Sequence, residues 1–312
     1  MNRPLQALEF LQAVAARGER GVLVAIAQVI ASASRGQGTL MAVSESGAWC
    51  GSLSGGCVEA AVIGEALRVL AAGRAELLRL GQGSPLIDVR LPCGGGLDLL
   101  IVPEPDPASI AAAVDRIGAR GCAELTIAVD GTIVVRPAEL RARPDWTGQE
   151  LRLPLLPTMR LFVVGQGEEV TALARQALAF GAEVSVLTPD PTLADQTRAL
   201  GAAASTMHTP RDCAALQCDP HAAAVLFFHE HDWEGDVLHH LLGQQAFFIG
   251  AMGSPRTHAL RLDLLRARGW GEADLQRIIG PVGLIPSTRD PDMLALSVLA
   301  QVAATWASSG PV

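Results

Sequence analysis

A glycine pair followed by a cysteine, Gly55-Gly56-Cys57, stands in the segment GSLSGGCVEAAV at residues 51–62. Glycines admit tight backbone conformations and leave amide N–H groups uncovered, so such a turn can hold a phosphate. The periodic run after Cys57 predicts a helix, and a thiol at a helix start has a lowered pKa that favours the thiolate. Glu59 in the first turn partly opposes this effect. The segment indicates either a site for a soft metal or sulfur-bearing ligand, or a cysteine buried in a tight turn.

A second cysteine–glycine segment, LPCGGG at residues 91–96, places Cys93 directly before Gly94 and Gly95. The same two interpretations apply to it. The six cysteines, at positions 50, 57, 93, 122, 213 and 218, contain no CxxC pair. This spacing predicts reduced thiols and favours neither a disulfide scaffold nor a zinc site.

A glycine turn in the second half of the chain is typical of dinucleotide-binding units, but it is incomplete. Gly165 and Gly167 follow an apolar strand and open a helix, where backbone amides can approach a pyrophosphate. Val170 stands in the place of the third glycine, and Thr188 and Pro189 end the second strand where an acidic residue would hold the ribose. The turn therefore favours a Rossmann-like fold, makes NAD(P) an unlikely ligand, and leaves a structural strand-to-helix turn as an equal interpretation.

Two further segments lie at strand ends, where doubly wound sheets place ligands. GAMGSPRTHALR presents Gly253 and Ser254 before a helix, with Arg256 in its first turn, which is either an anion site or a capped surface helix. HEHD separates His229 and His231 by one residue, which is either a ligand pair or a solvated loop.

The elements that must position these residues in the first half are mixed helices and strands. Hydrophobic patterning predicts helices over 5–17, 58–72 and 108–119. It predicts strands over 21–31 and within ELLRL and LDLLIVPEP, a hairpin around SESG, and a hairpin around Asp130-Gly131.

The second half alternates strands with helices, which indicates a parallel, doubly wound sheet ending in a helix from about Asp290 to Trp306. Residues 136–158 carry four prolines and no clear period, so we interpret them as a linker or domain boundary. The predicted architecture is an α/β chain with a mixed N-terminal domain over 1–157 and a Rossmann-like C-terminal domain over 158–312.

Composition excludes several functions. The chain has 312 residues, a net charge of −8, no tyrosine and no lysine. Non-specific nucleic-acid binding is not expected from such a chain. No apolar stretch reaches the roughly 18 residues of a membrane span, and the start predicts a helix without a signal peptide. We therefore expect a cytoplasmic protein.

Taken together, several segments resemble the XdhC/CoxI family of xanthine dehydrogenase accessory proteins. SASRGQGTLMAV, which contains Arg35, GSLSGGCVE and LPCGGGLDLLIVPEP are similar to its N-terminal domain. FFIGAMGSPRTHALRLDLLRARG and RIIGPVGL with DPDMLALSVLAQVAA are similar to its C-terminal Rossmann-like domain. The resemblance spans nearly the whole chain in the expected order.

The resemblance implies a chaperone of the molybdenum cofactor (molybdopterin) and not an enzyme. Such proteins hold the cofactor as cargo while an oxo ligand is exchanged for sulfur from a cysteine desulfurase. They then deliver it to an apo xanthine-dehydrogenase-type molybdenum hydroxylase, and a homodimer is expected. Cys57, a possible molybdenum ligand, and Cys93 match the family's motif cysteines. Cofactor contacts are expected from Gly55, Gly56, Glu59, Gly94, Gly95 and Arg35, and from Gly165, Gly167, Gly253, Ser254 and Arg256.

The chain departs from the family pattern mainly in its second half. Ser34 replaces the usual proline before Arg35, Glu168 and Val170 replace a histidine and a small residue, and Pro286 interrupts the near-terminal loop. Because these departures lie mainly in the second half, we expect the cargo site at the N-terminal cysteine motifs. Two alternatives remain open, an NAD(P)-dependent oxidoreductase and a molybdopterin nucleotidyltransferase, and the lack of lysine weakens the second.

Overall fold

The computed structural model divides into two compact units, one ending at Pro157 and the other beginning at Thr158. The residues that the structure describes are 3–56, 58–84, 94–138, 143–228 and 231–309.

The N-terminal unit is built from antiparallel strands and helices. Its elements are α1 (Arg3–Ala16), β1 (Gly21–Ile30), β2 (Leu40–Ser44), β3 (Trp49–Gly51), α2 (Glu59–Ala72), β4 (Glu76–Gly81), β5 (Gly96–Pro103), α3 (Pro107–Gly118), β6 (Ala123–Ala128), β7 (Ile133–Pro137), β8 (Asp145–Trp146) and β9 (Glu150–Leu155). In the described residues they form a sheet of order β3-β2-β1-β5-β4 and a smaller sheet of order β7-β6-β9-β8.

The central strand β1 is apolar on both sides because both faces of its sheet are covered. Val24 and Ile26 pack toward α2, whereas Leu23 and Ala25 pack toward α1, α3 and the smaller sheet. A strand buried on both faces has a near-continuous apolar run instead of alternation. This explains the unbroken sequence GVLVAIA.

The interpretation of residues 136–158 as a linker is wrong for residues 150–155, although the two units do divide within this range, after Pro157. Residues 150–155 form β9, an inner strand of the smaller sheet, and bury Leu151, Leu153 and Leu155 in the core. Pro154 is tolerated because β8 pairs only with Leu151 and Arg152, so one side of β9 is unpaired at the proline. The prolines of this stretch suggested a loop and obscured the alternation of buried leucines in β9.

The C-terminal unit alternates strands and helices, as expected from the sequence. Its elements are β10 (Arg160–Gly165), α4 (Glu168–Phe180), β11 (Glu183–Thr188), α5 (Pro191–Ala199), β12 (Ala203–Thr206), β13 (Ala222–Phe227), α6 (His231–Leu242), β14 (Phe248–Ala251), α7 (Pro255–Ala267), α8 (Glu272–Leu275), β15 (Ile278–Ile279) and α9 (Pro291–Ser309). The parallel sheet has the order β12-β11-β10-β13-β14-β15. This is the Rossmann order, in which strand order reverses beside β10.

Candidate functional site

Three loops of the N-terminal unit converge at one edge of the larger sheet. The loop after β1 carries Arg35, and Ser34 Oγ in it donates to the carbonyl of Ser54 at 2.9 Å. The segment before β5 carries Gly95, where a Cβ would lie 1.9 Å from the carbonyl oxygen of Ser32. Only glycine permits this approach, so the segment after Cys93 is fixed against the Arg35 loop.

The loop from Ser52 to Val58 is folded around the buried carboxylate of Glu59, which is 7% exposed. This arrangement uses both carboxylate oxygens as acceptors. The donors are Ser52 Oγ at 2.7 Å, the Leu53 and Ser54 amides at 3.1 Å each, Ser54 Oγ at 3.0 Å, the Gly56 amide at 2.9 Å and the Val58 amide at 3.2 Å. Glu59 is therefore the internal anion around which the loop is ordered.

The expectation that the glycine amides of this loop are uncovered does not hold for Gly55 and Gly56. The Gly55 amide donates to Ser52 Oγ at 2.9 Å, and the Gly56 amide donates to Glu59. The two residues have φ values of +83° and +118°, and a Cβ on either would meet nothing within 4 Å. Glycine is thus required for backbone conformation, which turns the chain around Glu59.

The hydrogen bonds to Glu59 determine its ionisation. Burial alone would raise the pKa of Glu59, but hydrogen bonds from the Ser52 hydroxyl and from Ser54 outweigh burial and lower this pKa to about 2. The carboxylate is therefore ionised across the physiological range.

This lowered pKa predicts a specific acid sensitivity of the loop. A depressed folded-state pKa gives stability that is present above the ordinary value of 4.5 and is lost as the pH falls toward about 2. We expect amide hydrogen exchange at Leu53 and Gly56 to lose protection over that interval. In Glu59→Gln the same amides should show no additional loss of protection between these pH values. If the variant instead loses protection over this interval as the wild-type chain does, this account is contradicted.

Two arginines near this edge differ in their partners. Arg79 donates from Nε and Nη2 to the two carboxylate oxygens of the buried Asp98, at 2.7 Å each. Arg35 has a buried Nε atom that has no hydrogen-bond partner among the described residues. The sequence alone did not single out Arg79 and Asp98; their pairing becomes visible only from the register of β4 and β5.

The two motif cysteines, Cys57 and Cys93, lie outside the described residues. Their chain neighbours are placed: Gly56 and Val58 flank Cys57, and Gly94 follows Cys93. Gly94 has a φ of +71°. These described neighbours, and not the thiols themselves, lie in the loops that converge at this edge.

Three of the cysteines that the structure describes are poor nucleophiles. Burial raises the pKa of Cys213 to about 11 and that of Cys218 to about 12, and burial also raises the pKa of Cys50. These thiols remain protonated near neutral pH. Within the described ranges, no cluster of histidine, cysteine and carboxylate residues is arranged to hold a metal ion. Of the HEHD pair, His229 lies outside the described residues and His231 begins α6.

The glycine turn of the C-terminal unit is built as the sequence predicts, but its cleft is acidic. A Cβ on Gly165 would lie 2.1 Å from the Phe227 carbonyl oxygen, and Gly167 forms the N-cap of α4. The adjacent cleft has a volume of about 520 Å³, and its charged lining residues are Glu168, Arg175, Asp190, Asp290 and Asp292. Arg175 pairs with Asp292. This charge distribution disfavours a pyrophosphate.

The GAMGS segment, residues 250–254, accepts a hydrogen bond from the arginine of a buried ion pair. Ser254 caps α7 by accepting from the Thr257 amide at 3.1 Å, and Arg256 is exposed. Gly253 has a φ of +140°. Beneath this segment Arg261 and Glu234, with side chains 3% exposed, pair at 2.8 Å, and Arg261 also donates to the Met252 carbonyl. Local sequence patterns do not indicate this pair, because its partners are 27 residues apart.

No helix within the described ranges has both the length and the apolar character needed to span a membrane.

Comparisons with known proteins identify relatives of both units. Residues 161–302 match the family model described as the XdhC Rossmann domain, and residues 14–81 match the XdhC and CoxI family. The molybdenum cofactor insertion chaperone PaoD of Escherichia coli K12 is 34% identical over 287 residues, covering 92% of this chain and 83% of that protein.

One solved structure shows the fold over nearly the whole chain. A Bacillus halodurans protein described as a xanthine dehydrogenase superimposes with a TM-score of 0.77 at 20% identity, covering 97% of this chain and 96% of that chain. An imine reductase from Myxococcus stipitatus covers 36% of this chain and 38% of that chain, with 21% identity and a TM-score of 0.28. The two family models and the extended similarity to PaoD establish that the chain belongs to the XdhC/CoxI family.

Proposed function

We propose that the chain is a molybdenum cofactor chaperone whose cargo site is the edge formed by residues 31–36, 52–58 and 94–96. It holds the cofactor during sulfuration by a cysteine desulfurase and delivers it to an apo xanthine-dehydrogenase-type hydroxylase. The name of the relative PaoD supports the cargo. The observation that carries the location is the convergence of these loops through Ser34–Ser54 and Gly95–Ser32.

The residues at this edge fit the chemistry of the cargo. Molybdopterin carries a phosphate, a dithiolene and the metal. Cys57 and Cys93 supply soft sulfur donors for the metal end. The Nε–H of Arg35, which has no protein acceptor in the described ranges, fits the phosphate. Glu59 is a positioning residue in this proposal, because its oxygens accept hydrogen bonds from the loop itself.

A chaperone fits these residues better than an enzyme. A carrier needs affinity and shelter and must release its cargo when the recipient docks. The carboxylate at the loop, Glu59, has both oxygens engaged and a pKa of about 2, which makes it a poor general base at neutral pH. The alternative of an NAD(P)-dependent oxidoreductase predicts a fluorescence change on titration with NADH. We expect none, because four of the five charged residues that line the C-terminal cleft are carboxylates.

Purification from a host that makes molybdopterin tests the proposal. Acid–iodine oxidation of the purified chain should release a fluorescent pterin in near-stoichiometric amount. The loaded chain should activate an apo-hydroxylase, and Cys57→Ala should retain much less pterin than Cys122→Ala, a matched change at a buried cysteine in the same unit. Absence of pterin from the wild-type chain would overturn the proposal.

The expected homodimer has a candidate surface on the C-terminal unit. Leu284, Ile285, Met293 and Leu296 are 57%, 43%, 45% and 53% exposed. Ser297 joins the two segments by accepting from the Leu284 and Ile285 amides. From residue 293 to residue 309 the helix α9 carries no charged residue. A second copy of a chain with net charge −8 can pack on these uncharged side chains without bringing like charges into direct contact.

Substitution at this face should weaken self-association. Leu296→Glu places a charge in the apolar face and should raise the dimer dissociation constant by about tenfold or more. Leu260→Glu, at a leucine on α7 that is 59% exposed, is the control. Sedimentation equilibrium measures both, and equal dissociation constants for Leu296→Glu and the wild-type chain would exclude this face.

A further inference from the structure

The guanidinium of Arg35 is the feature of the candidate site that the protein's own contacts leave unexplained. Its Nε is buried and finds no acceptor among the described residues. Buried N–H groups in native proteins are nearly always hydrogen-bonded, so an exception indicates an absent partner. Arg79, near the same edge, shows the usual arrangement, since it is matched by both oxygens of Asp98.

Arg35 is the group of these loops that is left to bind an anion, because the backbone amides around Glu59 are in use. Glu59 accepts from the Leu53, Ser54, Gly56 and Val58 amides, and Ser52 accepts from Gly55. These amides cannot also bind a phosphate without giving up the carboxylate. The chain contains no lysine, so the cation for a phosphate must be an arginine.

The position of Arg35 is fixed by its neighbours. Ser34 binds the Ser54 carbonyl at 2.9 Å, and the Ser32 carbonyl lies against Gly95. The loop that carries Arg35 is therefore held from two sides, at Ser54 and at Gly95. A guanidinium presents a planar set of donors that matches a phosphate with two parallel hydrogen bonds.

We infer that Arg35 binds the phosphate of the pterin cargo and is the residue that distinguishes phosphorylated from dephosphorylated molybdopterin. This inference rests on the proposed function. No covalent step is involved.

The first experiment measures dissociation constants for molybdopterin and for its dephosphorylated form. Arg35→Gln should weaken binding of the phosphorylated form about 10- to 100-fold and leave the dephosphorylated form unchanged. Arg35→Lys should keep part of the preference because it keeps the charge. The control is Arg74→Gln, which makes the same charge change just beyond the far end of α2, at a side chain 80% exposed. An undiminished preference in both Arg35 variants would overturn the inference.

The second experiment separates this inference from the proposed function. The ¹⁵Nε signal of Arg35, assigned by its absence from Arg35→Lys, should shift on titration with inorganic phosphate and not with chloride at equal ionic strength. The Arg74 signal should not shift specifically with phosphate. If the wild-type chain binds neither pterin but the Arg35 signal shifts, the cargo assignment fails and the anion site stands. If the pterin binds and the Arg35 signal does not respond to phosphate, the assignment of Arg35 to the phosphate fails and the proposed function stands.

Discussion

Glu59→Gln is expected to abolish most cofactor retention while leaving the rest of the N-terminal unit folded. The amide side chain places a donor where Glu59 now accepts from the Gly56 and Val58 amides and from Ser54 Oγ. Losing charge-assisted hydrogen bonds at this buried site should lower the free energy of unfolding by about 2–4 kcal/mol. Pterin retention should fall by about tenfold or more, because the loop that carries Cys57 loses its fixed conformation.

Hydrogen exchange and pterin content measure the two effects on the same samples. The control is Glu65→Gln on the same helix, whose carboxylate pairs with Arg68 near the surface. That change should alter stability by less than about 1 kcal/mol and leave retention unchanged. If Glu59→Gln keeps both the protection of the Leu53 and Gly56 amides and the wild-type pterin content, Glu59 does not organise the site.

Arg261→Leu is expected to destabilise the C-terminal unit more than any single surface substitution. It leaves the Glu234 carboxylate, 3% exposed, without its cation, and it removes the hydrogen bond that holds the Met252 carbonyl. Removal of one partner of a buried ion pair typically lowers the free energy of unfolding by about 3–5 kcal/mol. The segment that carries Gly253 and Ser254 should lose hydrogen-exchange protection first.

Urea denaturation of the whole chain measures this loss. The double variant Arg261→Leu with Glu234→Leu should recover a large part of the stability, because no unpaired charge remains buried. Arg266→Leu, which breaks only exposed pairs with Asp263 and Glu272, is the matched control and should change stability by less than about 1 kcal/mol. A double variant as unstable as Arg261→Leu would show that the charge pairing is not the cause.

The sequence predicted the elements well where periodicity was long. The strand β1, the helix α2 and the Gly165–Gly167 turn lie where patterning places them. β9 was missed because Pro154 suggested a loop, and only its pairing with β6 and the short β8 shows why the proline is tolerated. The brief β12 and β15 carry too few residues to show a period.

The candidate site was less predictable than the fold. The glycines at 55 and 56 indicated a special backbone conformation, but the sequence could not show that their amides face Glu59 and Ser52 instead of a ligand. The placement of the Arg35 loop depends on a contact between segments 20 residues apart, which no local pattern encodes, whereas Glu59 accepts hydrogen bonds from its own loop in an arrangement that residue types alone do not specify. Local chemistry located the segments, and tertiary contacts decide what each group does.

The most direct test of the cargo site is the position of molybdenum in crystals of the chain loaded with cofactor. Anomalous scattering at the molybdenum edge locates the metal without prior assumptions about its ligands. The account predicts one peak beside residues 52–58 and 94–96 of the N-terminal unit. A peak in the acidic cleft of the C-terminal unit, beside Gly167 and Asp190, would contradict it.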